Sequence, residues 1–179
     1  MPREYFLKTP RLGFGRWTEN DLPLASSLWG DREVTRYLGG PFSAEQIQKK
    51  LGQEISWMAA HGVQYWPIFL LANGEFAGCC GLRPYKLDEK IYELGFYLRP
   101  DFWGQGLASE AAQAAISYGF ETLGASALFA GHHPENKISP KVLTKLGFRY
   151  MHDEIYPPTG ELHPSYLLDR PARADTAHT

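Results

Sequence analysis

IYELGFYLRPDFWGQGLASEAAQAAISYGFETL, running from Ile91 to Leu123, joins a strand to a helix through a pair of glycines. Tyr92, Phe96, Tyr97 and Leu98 are aromatic and apolar β formers, so Ile91–Leu98 reads as a strand. Pro100 has no N–H to give a ladder, and Arg99-Pro100-Asp101 ends it. Gly104-Gln105-Gly106 follows, and then Leu107, Ala108, Ala111, Ala112, Ala115, Ile116 and Phe120 recur at helical spacing. That spacing predicts a helix over 106–122 with one close-packing face on a sheet. The first N–H groups of a helix lack internal partners and sit at the positive end of its dipole, so an anion fits there. Gly104 and Gly106 remove the Cβ atoms that would hold a pyrophosphate away. The same pair would also serve a plain strand-to-helix turn. No Gly-Lys-Ser/Thr follows, which excludes a P-loop, and Ser109 stands where a dinucleotide fingerprint needs a third Gly.

Outward from this stretch, Tyr5 to Trp17 reads as an opening strand kinked at Pro10. Asn20 or Asp21 caps a helix with Pro23 in its first turn, and Asp31 caps a shorter one holding Val34, Tyr37 and Leu38. Ser43 with Gln46 is a capping box opening a helix to about Ala60. Asn73-Gly74 between Trp66–Leu71 and Glu75–Leu82 is a strong hairpin signal. Ala125–Gly131 is a strand. A helix carrying Val142, Leu143 and Leu146 ends at Gly147-Phe148, and Phe148–His152 pairs with Leu162–Leu168. The order predicts one α+β (mixed α/β) domain over residues 1–170, with 171–179 a loose tail. The Ile91–Leu98 and Ala125–Gly131 strands should be parallel neighbours joined by a right-handed crossover through the 106–122 helix.

Composition limits the function. The 179 residues carry a net charge of −2, and 44% are hydrophobic and 21% charged, as in a soluble globular protein. No basic patch suggests nucleic acid, and no apolar run approaches the ~20 residues that cross a bilayer. Adjacent Cys79 and Cys80 cannot pair with one another easily, which fits a reducing, cytoplasmic setting; alternation puts one of them toward the core. His61, His132, His133, His152, His163 and His178 lack metal-ligand spacing, so no metal is expected.

Glu93-Leu94-Gly95-Phe96 and Phe102-Trp103-Gly104-Gln105-Gly106-Leu107-Ala108-Ser109-Glu110-Ala111 together resemble the acyl-CoA loop of GNAT N-acetyltransferases, RimJ/RimL-type branch. Thr9-Pro10-Arg11-Leu12, Glu135-Asn136-Lys137-Ile138-Ser139 and Lys145-Leu146-Gly147-Phe148-Arg149 match in order, so the resemblance covers about residues 5–170. Trp103 replaces the Gln or Arg of the wider superfamily. The resemblance implies a GNAT fold: a central, mixed, mostly antiparallel twisted sheet, splayed at the acyl-CoA site and flanked by helices. It also implies acetyl-CoA as acyl donor and a primary amine as acceptor, on a protein N-terminus or a small molecule, acetylated by direct attack in a ternary complex by a monomer or homodimer. The pyrophosphate would lie on the N–H groups of Gln105, Gly106, Leu107, Ala108 and Ser109. A bulge near Phe96, Tyr97, Leu98 and Arg99 would hold pantetheine by backbone, and Asn136 by its amide.

Glu93 is the candidate general base, because a carboxylate half-buried beside a cleft has its pKa raised by desolvation. Glu93, Gly95 and Tyr97 share a face, and Gly95 would leave room for substrate. Ser139 is the candidate proton donor to the leaving thiolate, although Ser139-Pro140 also reads as a helix cap and first residue. Lys137, Lys141 and Lys145 read as a solvated face within reach of a 3′-phosphate. Trp29, Tyr37, Trp57, Tyr65, Trp66 and Tyr156 are the aromatic candidates for the acceptor cleft. The alternatives are a GNAT fold that holds acyl-CoA without turnover, and nucleotide phosphate binding through Gly104–Gly106.

Overall fold

A computed structural model describes residues 3–172 of the chain. Its eight strands form one sheet in chain order except that the last two change places, and all neighbours are antiparallel except the fifth and sixth. The opening segment is a hairpin and not a kinked strand. Strands β1 (Leu7–Lys8) and β2 (Leu12–Phe14) pair antiparallel, and Thr9 N–H bonds Leu12 O at 2.9 Å across the Pro10-Arg11 turn. Helix α1 (Leu22–Trp29) has its proline in the first turn.

Residues 32–39 are a chain of turns where a helix was expected. Asp31 Oδ1 accepts Val34 N–H, and Thr35 N–H reaches Asp31 O, so one helical turn starts. Leu38 and Gly40 then both bond Thr35 O, and Gly39 turns left-handed at φ +84°, so no second turn propagates. Helix α2 (Ala44–His61) opens on the capping box of Ser43 and Gln46 and closes at Gly62, φ +70°.

Strands β3 (Tyr65–Leu70) and β4 (Phe76–Lys86) form the expected hairpin, and β5 occupies Ile91–Leu98. Helix α3 (Leu107–Ser117) continues into a π turn over Tyr118–Thr122. Its fully buried Ala111, Ala112 and Ala115 let it lie close on β4 and β5. Strand β6 (Ala127–Gly131), helix α4 (Ser139–Lys145) and strands β7 (Arg149–Tyr156) and β8 (Glu161–Asp169) complete the described residues. Gly147, φ +93°, ends α4: Gly147 N–H bonds Thr144 O, and Phe148 N–H bonds Leu143 O, both at 3.0 Å.

Each face of the sheet has its own core. Leu82, Leu94, Leu107, Ala111 and Leu128 pack on the α3 side, while Trp29, Ile47, Leu51, Tyr65 and Phe69 pack under α1 and α2. Cys80 lies in the first core and Cys79 in the second, both fully buried and free, so both thiols face a core. Burial pushes both thiols up, away from thiolate chemistry.

Candidate active site

The site begins where the sheet comes apart. Strands β5 and β6 pair only from Ile91↔Ala127 to Glu93↔Phe129. Beyond that, β5 stays with β4 as far as Leu98, and β6 stays with β8 as far as Gly131. A cavity of about 270 Å³ fills the gap and reaches both faces: Glu93, Gly95 and Tyr97 on one side, Asn136, Ser139 and Leu143 on the other. The expected bulge in Phe96–Arg99 is absent, since β5 runs in unbroken register against β4 from Tyr92 to Leu98. The extra residue is Tyr85, in β4. The splay therefore comes from β6 turning away with β8.

Glu93 stands half-buried at the last position of β5 that pairs with β6, opposite Arg83 of β4. Burial raises its pKa above the ordinary carboxylate range; the Arg83 charge and the Tyr65 hydroxyl oppose this without cancelling it. Arg83 is committed elsewhere. Its guanidinium forms a buried ion pair with Glu54 of α2 and stacks on the Tyr65 ring at 3.7 Å from the centroid. Glu54 Oε2 also accepts Tyr65 N–H at 2.8 Å. The space beside Gly95 belongs to Tyr65 and not to substrate, because a Cβ on Gly95 would collide with the phenol. Burial holds Tyr65 and Tyr97 as neutral phenols.

On the opposite face Asn136 does the capping that Ser139 was expected to do. Its Oδ1 accepts Ile138 and Ser139 N–H, each at 3.1 Å, and its Nδ2 donates to Ser139 Oγ at 2.9 Å. Ser139 is thus the first residue of α4, with its own O–H free to donate into the cavity. His132 also lines the cavity, with Nδ1 2.8 Å from His133 O and Nε2 3.3 Å from Tyr166 Oη. Burial lowers its pKa.

The glycine loop lies at the start of α3. Gly104 and Gly106 are left-handed at φ +73° and +76°, and a Cβ on either would point into open space or toward Arg11. The first backbone bond of the helix is Glu110 N–H to Gly106 O, so the N–H groups of Gln105 to Ser109 precede the helical ladder. This exposed cradle of donors, cleared of side chains, fits a pyrophosphate. Arg11 was not read as part of the site. Its Nη1 donates to Gln105 O at 2.9 Å, and its Nε and backbone N–H bond Glu110. Thr9 Oγ1 bonds the same carboxylate at 2.6 Å. Burial would raise Glu110, but these donors hold it below the usual range. Trp103 locks the other end through Nε1 to Leu98 O, 2.8 Å.

Phe96 and Tyr97 line the cavity; Leu98 and Arg99 do not. Arg99 N–H bonds Ala77 O and its carbonyl takes Phe102 N–H, so that residue closes the strand. Of the aromatic candidates, Tyr37, Tyr65 and Tyr156 line the cavity. Trp29 and Trp66 are core, and Trp57 lies against Arg83. Tyr85, Phe129, Glu154 and His163 were missed, although the alternation of β7 and β8 puts Glu154 opposite His163. His133, Glu161 and His163 also meet here, with potential ligand atoms within 4.8 Å of one another. His133 Nδ1 accepts Glu135 N–H at 3.1 Å, so in the neutral ring Nε2 carries the proton and donates to Glu161. The pair is hydrogen-bonded, with the His163 ring edge-on to His133 at 5.2 Å between centroids.

A mixed sheet that splays beside a glycine-led helix N-terminus, with a carboxylate and a hydroxyl facing one cavity, is the layout of an acyl-group transferase. A family model for the acetyltransferase (GNAT) domain matches residues 11–149. The N-acetyltransferase YnaD of Bacillus subtilis is 41% identical over 80% of this chain and 82% of its own. The N-acetyltransferase p20 of Bacillus licheniformis is 32% identical over the same shares. A RimL ribosomal L7/L12 α-N-protein acetyltransferase solved with coenzyme A shares the fold, with TM-score 0.80 and 18% identity over 93% of this chain and 98% of that one. The chain belongs to the GNAT acetyltransferase family and is an N-acetyltransferase. No helix among the described residues is long and apolar enough to cross a membrane.

Proposed function

We propose that the chain acetylates a primary amine by direct attack in a ternary complex, with Glu93 as general base and Ser139 as general acid. Acetyl-CoA supplies the activated acetyl group. The observation that carries this reading is the cavity opened by the splay after Glu93↔Phe129, which has Glu93 on one face and Ser139 on the other. The amine arrives protonated, and Glu93 takes its proton. Glu93 passes that proton to solvent, and the nitrogen lone pair forms the new C–N bond as the C–S bond breaks, the nitrogen then losing its second proton to the freed Glu93 carboxylate. Ser139 gives the departing sulfur its proton and is reprotonated from solvent. The raised pKa of Glu93 makes it a stronger base than an ordinary carboxylate. Gln105 to Ser109 hold the pyrophosphate, and Phe96, Tyr97 and Asn136 flank the pantetheine.

The test is thiol release from acetyl-CoA over a panel of amines. Glu93→Gln should lower kcat by about 10²–10⁴-fold with CoA affinity nearly unchanged. Tight CoA binding with no thiol release from any amine would instead identify a non-catalytic acyl-CoA-binding module.

A further inference from the structure

The acceptor side of the cavity is an aromatic box with more negative than positive charge. Cross-strand register puts its members on one face. Glu93 is level with Phe129, Phe129 with Leu167, Gly131 with Ser165, and His163 with Glu154. Tyr85, bulged out of β4, lies flat on Phe129 with centroids 4.2 Å apart and planes 3° from parallel. Its hydroxyl is 3.5 Å from Glu154 Oε1, so the stacked pair spans from the base to a second carboxylate.

Neither carboxylate is paired with a lysine or arginine among the described residues. Arg83 reaches Glu93 only as a nearby charge, because its guanidinium is paired with Glu54. Among the described residues Glu154 has one ion-pair partner, His152, 2.7 Å away and 60% exposed. Aromatic faces attract cations, and two like-charged carboxylates in one pocket repel one another until a cation enters. A peptide N-terminus brings a single ammonium followed by neutral amides, and would leave Glu154 unanswered.

We propose that the acceptor is a compact diamine: one nitrogen reacts at Glu93, the chain lies along the Tyr85–Phe129 stack, and the second ammonium is held by Glu154. This rests on the amine-acetylating reading above and deepens it. Thiol release would be measured with butylamine, with 1,4-diaminobutane and with a neutral peptide bearing a free N-terminus. For the unaltered enzyme, kcat/KM for the diamine should exceed that for butylamine by about tenfold, the scale of one charge-assisted hydrogen bond. Glu154→Gln should bring that ratio to about one, chiefly through KM for the diamine, while Glu154→Asp should keep part of it. Equal ratios in the enzyme and in Glu154→Gln, or a preference for the peptide, would overturn the diamine assignment and leave the acetylation reading standing. Absence of thiol release with every amine would overturn both.

Discussion

As the proposed general base Glu93 would act only as its carboxylate, so the direction of its pKa shift becomes a pH profile. Desolvation raises the value, and the active form is the deprotonated one. The acid limb of kcat/KM should therefore lie above the ordinary carboxylate range, with activity falling as pH drops through the raised value. Glu93→Gln should remove that limb along with most of the rate; a limb that survives the substitution would move the assignment to another group. Gly106 allows a second test at this scale. Its φ of +76° disfavours any L side chain, and the Cβ direction opens toward Arg11 Nη2, 3.7 Å off. Gly106→Val should weaken CoA binding, measured by titration calorimetry on folded protein, because a branched Cβ would occupy the phosphate cradle. Unchanged affinity would place the pyrophosphate elsewhere.

At the scale of elements, the best-defined signals are the ones with local chemistry. Ser43 and Gln46 satisfy one another's backbone donors, at 3.2 and 2.8 Å, and α2 starts where they stand. Ser43→Ala should cost about 1 kcal/mol, read as a Tm lower by about 2–4 °C; no change would mean that packing alone sets the helix start. Strand β5 was legible to its ends because Pro100 stops it and its aromatic run sustains it. The 31–39 segment was not, since Val34, Tyr37 and Leu38 have helical spacing but Gly39-Gly40-Pro41 halts the ladder after one turn. The left-handed glycine turn into α3 was readable from sequence because backbone makes it. The Tyr85–Phe129–Glu154 side of the cavity was not, because Tyr85 enters through a bulge and Glu154 through a distant hairpin. Gly95 shows the limit of alternation: it was read as room for substrate, whereas the ring of Tyr65, thirty positions earlier, fills that room.

At the scale of the whole molecule, one buried carboxylate links the helical layer, the sheet and the site. Glu54 of α2 is fully buried and bonds Tyr65 N–H of β3 and Arg83 of β4, while Arg83 stands directly opposite Glu93 of β5. Burial alone would weaken the Arg83 charge; the adjacent Glu54 more than restores it. Glu54→Gln leaves an oxygen for Tyr65 N–H but strips Arg83 of its counter-charge. A buried cation left unpaired costs about 3–5 kcal/mol, which at this chain length lowers Tm by roughly 6–20 °C. The released guanidinium then has one carboxylate to turn to, its cross-strand neighbour. An added positive charge at Glu93 favours the ionised form, so the acid limb of kcat/KM should move to lower pH in Glu54→Gln. Loosening that lets water reach Glu93 would also lower the limb, by relieving desolvation, so the double variant Glu54→Gln, Arg83→Met, which has no guanidinium to move, is the control. An unmoved or raised limb in Glu54→Gln, or a limb lowered equally in the double variant, would show that Arg83 serves the core alone; a limb lowered only where Arg83 is present would show that the core ion pair also keeps Arg83 away from the base.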